Sequence, residues 1–518
     1  MRRMQTPRFV PSLFALLAVT AAPLGCSHDT SDADATTSDL AMGSRPWDAQ
    51  AEKEWSTWIG GIGDARAAGR CTSVNACIDD VTINPLKKTG DPKLDIFADC
   101  ADLPMELRAY FAMKTQRPFR YMSDVVGDLP ANHDPSTPPD YRYTANNHPV
   151  AWSTAKTASS LQGLLTRVSN TVHSGFFRIA APIEDTDTYP IDIRPGTVHP
   201  GTVYYDPNGH VLVVYRVDPN GTVHMMDGHP DNSLTHTIFS DKIALGGANQ
   251  GGGFRNFRPI DSASPTLAYK PNAELDDFGT TQYGRGHAYY DWVRMQLSGG
   301  VALPPDQQFG QLMDQLCTDV QDRVAAVDAG KTLASGPIGP VPPNIYGADG
   351  DWEAFSTPGR DGKLRMSFRG ITQQVSASVA AVTAGDASVA WTGTAQSLVA
   401  AYQDIWNQHR TSCKITYTSS SGDAVTLNLD DIQERLFDLS FDPYHCVEMR
   451  WGAYADHGTE MAACANQDAD HLQRFKDERR MRNAIDRPPA GTDTPFTWGP
   501  DSPEDVNVPA LLRRLSGS

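Results

Sequence analysis

Three residue types that together perform nucleophilic catalysis occur along the chain in a recognised order. Cys100 lies in the stretch DIFADCADLPMELRAYF, residues 95–111, just before apolar residues with helical spacing. His210 follows, and Asp227 and His229 come after it. A thiolate attacks a carbonyl carbon, an imidazole carries the proton, and a third polar group orients the imidazole. The order predicts Cys100 as nucleophile, His210 as base, and Asp227 or His229 as the orienting group.

The histidine and the acid flank a predicted β-hairpin. The tetrapeptide Asp-Pro-Asn-Gly, a good turn sequence, occurs at 206–209 and again at 218–221. The segment 211–217 between the turns is apolar and rich in β-branched residues, which predicts a buried strand. Residues 222–226 are its predicted antiparallel partner.

The register of this hairpin decides whether the candidate residues meet. A four-residue turn would pair Val217 with Thr222 and would place His210, Asp227 and His229 on one face. A one-residue slip, for example through a bulge, would move Asp227 and His229 to the other face.

The cysteine count predicts one unpaired thiol, and the neighbours of Cys100 make it the candidate. Setting aside Cys26 leaves seven cysteines, so one is unpaired if the others form disulfides. Cys71 and Cys77 are close enough in sequence to close a short loop, and the other four could form two more bridges: Cys317, Cys413, Cys446 and Cys464. Spacing alone does not fix this connectivity.

The position of Cys100 predicts a reactive thiol. The positive end of a helix favours a thiolate, and a nearby imidazole favours it further, so both lower the expected pKa. Pro104 fits this interpretation only if the helix starts close to it.

The motifs around these residues resemble those of the NlpC-type cell-wall cysteine peptidases, which are papain-like. Asp99-Cys100-Ala101 resembles their nucleophile motif, and Pro-Gly-Thr-Val-Tyr-Tyr (200–205) running into Gly-His-Val (209–211) resembles their histidine strand. The resemblance covers roughly residues 95–260. It implies a small antiparallel sheet packed on the cysteine helix and hydrolysis of amide bonds in peptidoglycan stem peptides. The backbone N–H of Cys100 is the expected oxyanion donor.

The N-terminus predicts export. A basic start, an apolar stretch too short to span a bilayer, and Pro-Leu-Gly-Cys at 23–26 are similar to a bacterial lipoprotein signal, with Cys26 as the lipidated residue. Plain cleavage and release is the alternative. Residues 27–45 are acidic and rich in Ser and Thr, which predicts a disordered tether.

Charge excludes some partners. The formal net charge of −18 argues against nucleic-acid binding and against polybasic membrane attachment, which leaves a lipid as the expected membrane contact. The glycine-rich loop 246–253 lacks the ending of a phosphate-binding loop, and no spacing matches a zinc signature. No cofactor and no metal are expected.

The predicted organisation is α+β. We call residues 46–300 the N-terminal segment and expect a papain-like domain there. Residues 301–518, the C-terminal segment, are expected to be mostly helical. Residues 120–150 are predicted to be a long loop, and 442–448 form a compact polar segment for which a disulfide-pinned turn is favoured over a site. Helices are predicted within or over 97–119, 157–172, 289–297, 309–327, 395–408, 429–439 and 467–485.

The leading hypothesis is an exported, lipid-anchored cysteine hydrolase that acts on a cell-wall peptide or protein. A second hypothesis is a non-catalytic surface lipoprotein that uses the same fold to bind a partner or as a structural module. A third is a transglutaminase-like acyl transferase, which also uses Cys, His and Asp in that order.

Overall fold

The computed structural model describes residues 43–484 and 503–517, with short gaps at 130, 132, 137, 156–157, 159, 262–263, 343–344, 346–349, 455–456 and 465–466. The fold is mixed α+β, with 42% helix, 15% strand and small antiparallel sheets, so the predicted fold class is confirmed at this level. The predicted signal peptide, Cys26 and the predicted tether as far as residue 42 lie outside the described residues.

The strands form one main sheet and two separate hairpins. They are β1 (Arg120–Asp128), β2 (Ala145–Thr154), β3 (Thr188–Pro190), β4 (Val203–Asp206), β5 (His210–Val217), β6 (Val223–Gly228), β7 (Leu234–Ile238), β8 (Gly253–Phe257), β9 (Lys414–Thr418) and β10 (Ala424–Asn428). The main sheet has the order β3-β8-β4-β5-β6-β7, and every neighbouring pair is antiparallel. β5 therefore has a strand on each side, and residues 211–215 are all buried, as its continuous apolar sequence predicts.

The helices surround this sheet and make up most of the C-terminal segment. They are α1 (Ala49–Ala67), α2 (Val74–Asp79), α3 (Asp102–Lys114), α4 (Leu161–Ser169), α5 (Tyr289–Leu297), α6 (Pro305–Gly330), α7 (Asp351–Phe355), α8 (Pro358–Thr383), α9 (Ala395–Ser412), α10 (Leu429–Glu434), α11 (Val447–Arg450), α12 (Gly458–Met461), α13 (Ala469–Ala484) and α14 (Val508–Ser516). Helix α3 packs against β5 and β6, which agrees with the predicted packing of the cysteine helix on a small sheet.

Some sequence predictions about these elements are wrong. The region 120–150 is not one long loop. Its first residues lie in β1 and its last residues lie in β2, and the two strands pair as an irregular hairpin. Helix α8 was not recognised, since Gly359, Gly362 and Gly370 lower its intrinsic propensity. Burial of one apolar stripe, Leu364, Phe368, Ile371 and Val375, overrides that weakness.

The β5–β6 register matches the prediction at one end only. At the turn, Val217 pairs with Val223 and not with Thr222. An irregularity between Val214 and Arg216 then shifts the pairing by one residue, so Val213 pairs with Met226. A β-bulge changes the facing of a strand in this way. On the far side of this irregularity from the turn, the pairing is the predicted one. Continuing it by one residue from Val213 and Met226 places Leu212 opposite Asp227.

Two sets of hydrophobic cores lie within one compact unit, Asp39–Ser518. The larger N-terminal core includes Trp58 and Phe111, and the main C-terminal core includes Phe309 and Phe368. Among the described residues, no core cluster takes side chains from both sides of residue 300. The division into two domains at residue 300 stays a prediction.

Three disulfides consume six cysteines: Cys71–Cys77, Cys317–Cys413 and Cys446–Cys464. Cys100 is the free cysteine of the described residues, so the prediction of a disulfide-bonded protein with one remaining thiol agrees with the structure. Among the described helices, none combines the length and the apolar character needed to cross a bilayer.

Helix α3 also carries an unusual buried acid. Glu106 is 1% exposed, and neither of its carboxylate oxygens has a hydrogen-bond partner among the described residues. Burial, with a further contribution from Asp99, raises the pKa of Glu106 well above its usual range. The folded protein therefore holds this proton more tightly than the unfolded chain does.

We expect Glu106 to make the folded protein less stable as the pH rises. Its folded pKa is raised, so its stabilising contribution is complete below the unfolded pKa of about 4.3 and is lost as the pH approaches the folded value. Across that window the loss is about 1.4 kcal/mol per pH unit. Glu106→Gln, which mimics the protonated acid, should raise the thermal unfolding midpoint at pH 8 and leave it nearly unchanged at pH 4.

The matched control is Glu434→Gln, because Glu434 is exposed on a helix of the C-terminal segment. Calorimetry at both pH values compares the variants. An equal response of the two variants, or a destabilised Glu106→Gln at pH 8, would contradict a protonated buried Glu106.

Candidate functional site

Cys100 lies two residues before helix α3, in a turn held by Asp99. The Asp99 carboxylate accepts hydrogen bonds from the N–H groups of Ala101 (2.8 Å) and Asp102 (3.1 Å), and the Leu103 N–H donates to the Asp99 carbonyl (3.1 Å). Asp99 thus satisfies N–H groups that the helix itself leaves unpaired. Pro104 falls in the first turn, where a missing N–H costs no helical hydrogen bond.

The thiol of Cys100 contacts the backbone on both sides of His210. The sulfur lies 3.8 Å from the carbonyl oxygen of Gly209, to which the S–H donates. The N–H of Val211 donates a hydrogen bond to the same sulfur. These two contacts tie the start of α3 to the first residues of β5.

Gly228 permits this close approach from the neighbouring strand. A Cβ at this position would lie 2.6 Å from the carbonyl oxygen of Ala98 and 2.9 Å from that of Asp99. Both contacts are with backbone atoms, which cannot move aside without displacing the segment that carries Cys100. The end of β6 and the cysteine segment therefore fit together only because residue 228 lacks a side chain.

The base and its partner come together across β5 and β6. The Nε2 of His210 lies 2.7 Å from Oδ2 of Asp227. With Nε2–H donated to the carboxylate, Nδ1 of a neutral His210 carries the lone pair that can accept a proton. The arrangement meets the geometric requirement for a base held by an orienting acid.

Of the two predicted orienting groups, Asp227 contacts His210. His229 instead lies 2.9 Å from the hydroxyl of Thr235 and 3.5 Å from Oδ2 of Asp227. The Thr235 hydroxyl donates to Oδ1 of Asp227 at 2.5 Å. His229 thus belongs to the network around Asp227, and its ring stands 6.3 Å, centre to centre, from that of His210.

The electrostatics keep the acid ionised and the imidazoles neutral. Burial alone would raise the pKa of Asp227, but the nearby His229, Lys363 and His210 hold it well below the usual range. Burial, reinforced by Arg360, lowers the pKa of His229 to about 3. Burial and the charge of Lys363 lower the pKa of His210, although Asp227 opposes both.

The thiol behaves differently from the prediction. Burial, with a further contribution from the negative charge of Asp99, raises the pKa of Cys100 well above its ordinary value. The negative charge of Asp227 acts in the same direction, and the hydrogen bond from the Val211 N–H opposes it. The expectation of an acidic thiol is therefore corrected: thiol and imidazole are both neutral at neutral pH.

Cys100, His210, Asp227 and His229 all line one cavity of about 590 Å³. This size is typical of sites for small molecules and short peptides. One wall comes from the N-terminal segment, including Tyr141, Arg142 and Tyr143. The other comes from α6, α7 and α8 of the C-terminal segment, whose contributions include Asp319, Asp322, Trp352, Arg360 and Lys363.

Sequence reasoning missed this second wall. It assigned no chemistry to the C-terminal segment, yet Nζ of Lys363 lies 3.8 Å from Oδ2 of Asp227. The polarity of Lys363 gives no signal by itself, because a lysine on a helix is usually solvated. Only packing distant in sequence brings α8 to the site.

A second polar cluster lies in the C-terminal segment, near the predicted polar turn. Possible ligand atoms of Asp442, His445 and Glu478 lie within 4.8 Å of one another, and all three residues are buried. The guanidinium of Arg474 pairs with Asp442 and stands 3.9 Å from Glu478. A fixed cation therefore already compensates these acids, and the adjacent Cys446 is in a disulfide, as the favoured interpretation predicted.

The chain was compared with protein-family models, curated proteins and solved structures, and none of the three comparisons gave a match. The resemblance to NlpC-type peptidases stays a prediction that rests on the short motifs around Cys100 and His210.

We expect alkylation of Cys100 in the folded, unreduced protein to require alkaline pH. Because the pKa of the thiol is raised, the rate should increase about tenfold per pH unit from pH 7 to pH 9 and should not level off there. Iodoacetamide labelling followed by peptide mapping measures the rate at Cys100. In the denatured, unreduced control, the rate should level off above an ordinary pKa of about 8.5. Rapid labelling of the folded protein at pH 6 would contradict the raised pKa.

Proposed function

We propose that the protein is a papain-like cysteine hydrolase that cleaves amide bonds in peptides, with cell-wall peptides as the leading substrate class. The observation that carries this proposal is the free thiol of Cys100, placed against the backbone of Gly209 and Val211 in the cavity where His210 meets Asp227. The similarity of the local motifs to NlpC-type peptidases supports the cell-wall assignment.

The proposed reaction begins with a neutral pair. As Sγ of Cys100 attacks the amide carbonyl carbon, the thiol proton passes to Nδ1 of His210, and Asp227 stabilises the resulting imidazolium. The carbonyl oxygen becomes an oxyanion, for which the Cys100 N–H is the proposed donor. The C–N bond then breaks, the amine leaves with the proton from His210, and a thioester remains.

Water completes the cycle. His210 accepts a proton from the water, the hydroxyl adds to the thioester carbon, and the C–S bond breaks. The departing sulfur recovers the proton from His210, so the free thiol is restored and a carboxylic acid is released. If an amine attacked in place of water, the same thioester would give the acyl transfer of the transglutaminase-like alternative.

The non-catalytic alternative is weaker on one observation. A binding or structural module has no requirement for an ordered imidazole–carboxylate pair beside a free thiol. Buried polar groups of this kind cost stability unless they are fully partnered, and they concentrate at functional sites.

We also propose that the protein is exported and anchored by a lipid on Cys26. The support is the lipoprotein-like N-terminus together with three disulfides, which form in oxidising compartments.

We expect the purified chain to cleave peptides in a Cys100-dependent manner. Stem-peptide fragments of peptidoglycan and a mixed peptide digest, incubated in ¹⁸O-water, should gain one ¹⁸O at each new carboxyl group. Cys100→Ala should abolish cleavage, and Asp227→Asn should slow it by about 10²-fold or more because His210 loses its orienting acid. Mass spectrometry detects new ends, and an added amine tests for transfer.

The matched control is His224→Ala. His224 lies on the same hairpin and also pairs with an acid at 2.7 Å, Asp218, but it does not line the cavity. This variant should cleave like the wild-type protein. Cleavage that survives Cys100→Ala, or no cleavage of either substrate set by the wild-type chain, would sink the hydrolase proposal in favour of a binding module.

We expect Cys26→Ser to release the protein from membranes. A lipid-anchored chain expressed in a bacterium should sediment with the membrane fraction and leave it on detergent treatment, because the acyl chains supply the membrane affinity. The substituted chain should not sediment with membranes. A wild-type chain that is already soluble after cleavage would support plain secretion.

A further inference from the structure

We propose that Lys363, on helix α8 of the C-terminal segment, is a positioning residue of the candidate site: its positive charge keeps Asp227 ionised and disfavours a positive charge on the neighbouring His210. The inference rests on the proposed function, because it assigns His210 the part of a base. It assigns the C-terminal segment a direct influence on the charges of the candidate catalytic residues.

The geometry brings two basic groups to one oxygen. Oδ2 of Asp227 lies 2.7 Å from Nε2 of His210 and 3.8 Å from Nζ of Lys363. The side chain of Asp227 is 4% exposed and that of Lys363 is 21% exposed. Solvent therefore screens this pair weakly, and a charge at this distance acts strongly on the carboxylate.

The other basic groups around Asp227 are neutral near pH 7 or are paired with other residues. His229 is neutral near pH 7, since its pKa is lowered to about 3. His236, from β7, is neutral too, because burial and Arg66 lower its pKa to about 4. Arg360 stands one turn before Lys363 but pairs with Asp231 (3.3 Å) and the hydroxyl of Ser233 (3.2 Å).

The acids that face the pair have their own partners. Asp206 accepts hydrogen bonds from the backbone N–H groups of Asn208 and Ala244. Asp322, from α6, pairs with Arg66 at 3.0 Å, and burial raises its pKa to about 6. The thiol of Cys100 is neutral. Among the described residues, Lys363 is thus the lysine or arginine within 4 Å of the Asp227 carboxylate.

The position of Lys363 is itself fixed. Ser367, one turn further along α8, donates to the carbonyl of Lys363 (3.1 Å) and to Asp319 (2.9 Å). Asp319, on α6, also accepts two hydrogen bonds from Lys242 beside the main sheet, both at 2.8 Å. This chain of contacts joins α8 to the sheet near the site.

The functional consequence follows from the charge. With Lys363 present, the carboxylate stays ionised and protonation of His210 before substrate arrives is disfavoured, so the base remains available at mildly acidic pH. Removing the charge should raise the pKa of His210 by about one unit, the lower end of what a neighbouring charge produces. The acidic limb of the pH–rate profile should move to higher pH by the same amount.

The test is an NMR titration of histidine-labelled full-length protein, with the His210 signal assigned by its loss in His210→Asn. Lys363→Met should shift the His210 titration upward by about one unit, and Lys363→Arg should restore it. Arg360→Met is the matched control, since it removes a cation from the same helix and cavity without touching Asp227. It should shift His210 by less than a third as much. Thermal unfolding verifies that each variant folds.

The outcomes separate this inference from the proposed function. An unchanged His210 titration in Lys363→Met, or an equal shift in Arg360→Met, would overturn the role of Lys363. That result holds whether or not a substrate is found, because the titration needs none. A shifted titration with no peptide cleavage would keep the contact and would remove the hydrolase function.

Discussion

The site depends on one buried carboxylate. Asp227 is 3% exposed, and an ionised group in that position is tolerated only if its oxygens are fully compensated. Compensation comes from His210 and Thr235 at hydrogen-bond distance and from Lys363 at 3.8 Å. These partners belong to β5, β7 and α8, so the ionised acid requires the central strands of the sheet and a helix of the other segment to be in place together.

Burial and the surrounding charges keep both the thiol and the imidazole neutral. Burial and the negative charges of Asp99 and Asp227 disfavour a thiolate at Cys100, and burial and Lys363 disfavour an imidazolium at His210, although Asp227 opposes this second effect. A preformed thiolate–imidazolium pair is therefore disfavoured, because neither of its two charged groups is stable in this environment. A base-assisted attack is the chemistry that fits, in which the proton moves as the new bond forms and the carboxylate stabilises the imidazolium only then.

Much of the local arrangement could be predicted from the sequence, because it depends on neighbours along the chain. Turn residues predict the hairpin, and the odd cysteine count together with the neighbours of Cys100 predicts a free thiol there. The predicted pairing of β5 with β6 is correct near the site, although it is wrong at the turn, where Val217 pairs with Val223. The irregularity beside Tyr215 shifts the pairing back by the one residue that the longer turn had added. Lys363 could not be found in this way: α8 contains helix-weakening glycines, and its approach to Asp227 depends on packing between distant segments.

The contacts that join the two segments are polar and directional, which suits a site shared between them. Apolar packing alone would tolerate sliding of α6 along the sheet, because the hydrophobic effect is non-directional. Gln315 instead accepts a hydrogen bond from the Ile238 N–H of β7 (2.9 Å), and Asp322 pairs with Arg66 of α1 (3.0 Å). Each such bond has one geometry, so together they set the position of α6. Asp319 of α6 then accepts a hydrogen bond from Ser367, which fixes the position of α8 relative to α6. A displacement of α6 by one residue would break these bonds and move the ammonium of Lys363 away from the carboxylate of Asp227. The charge state of His210 therefore depends on the correct packing of the two segments against each other.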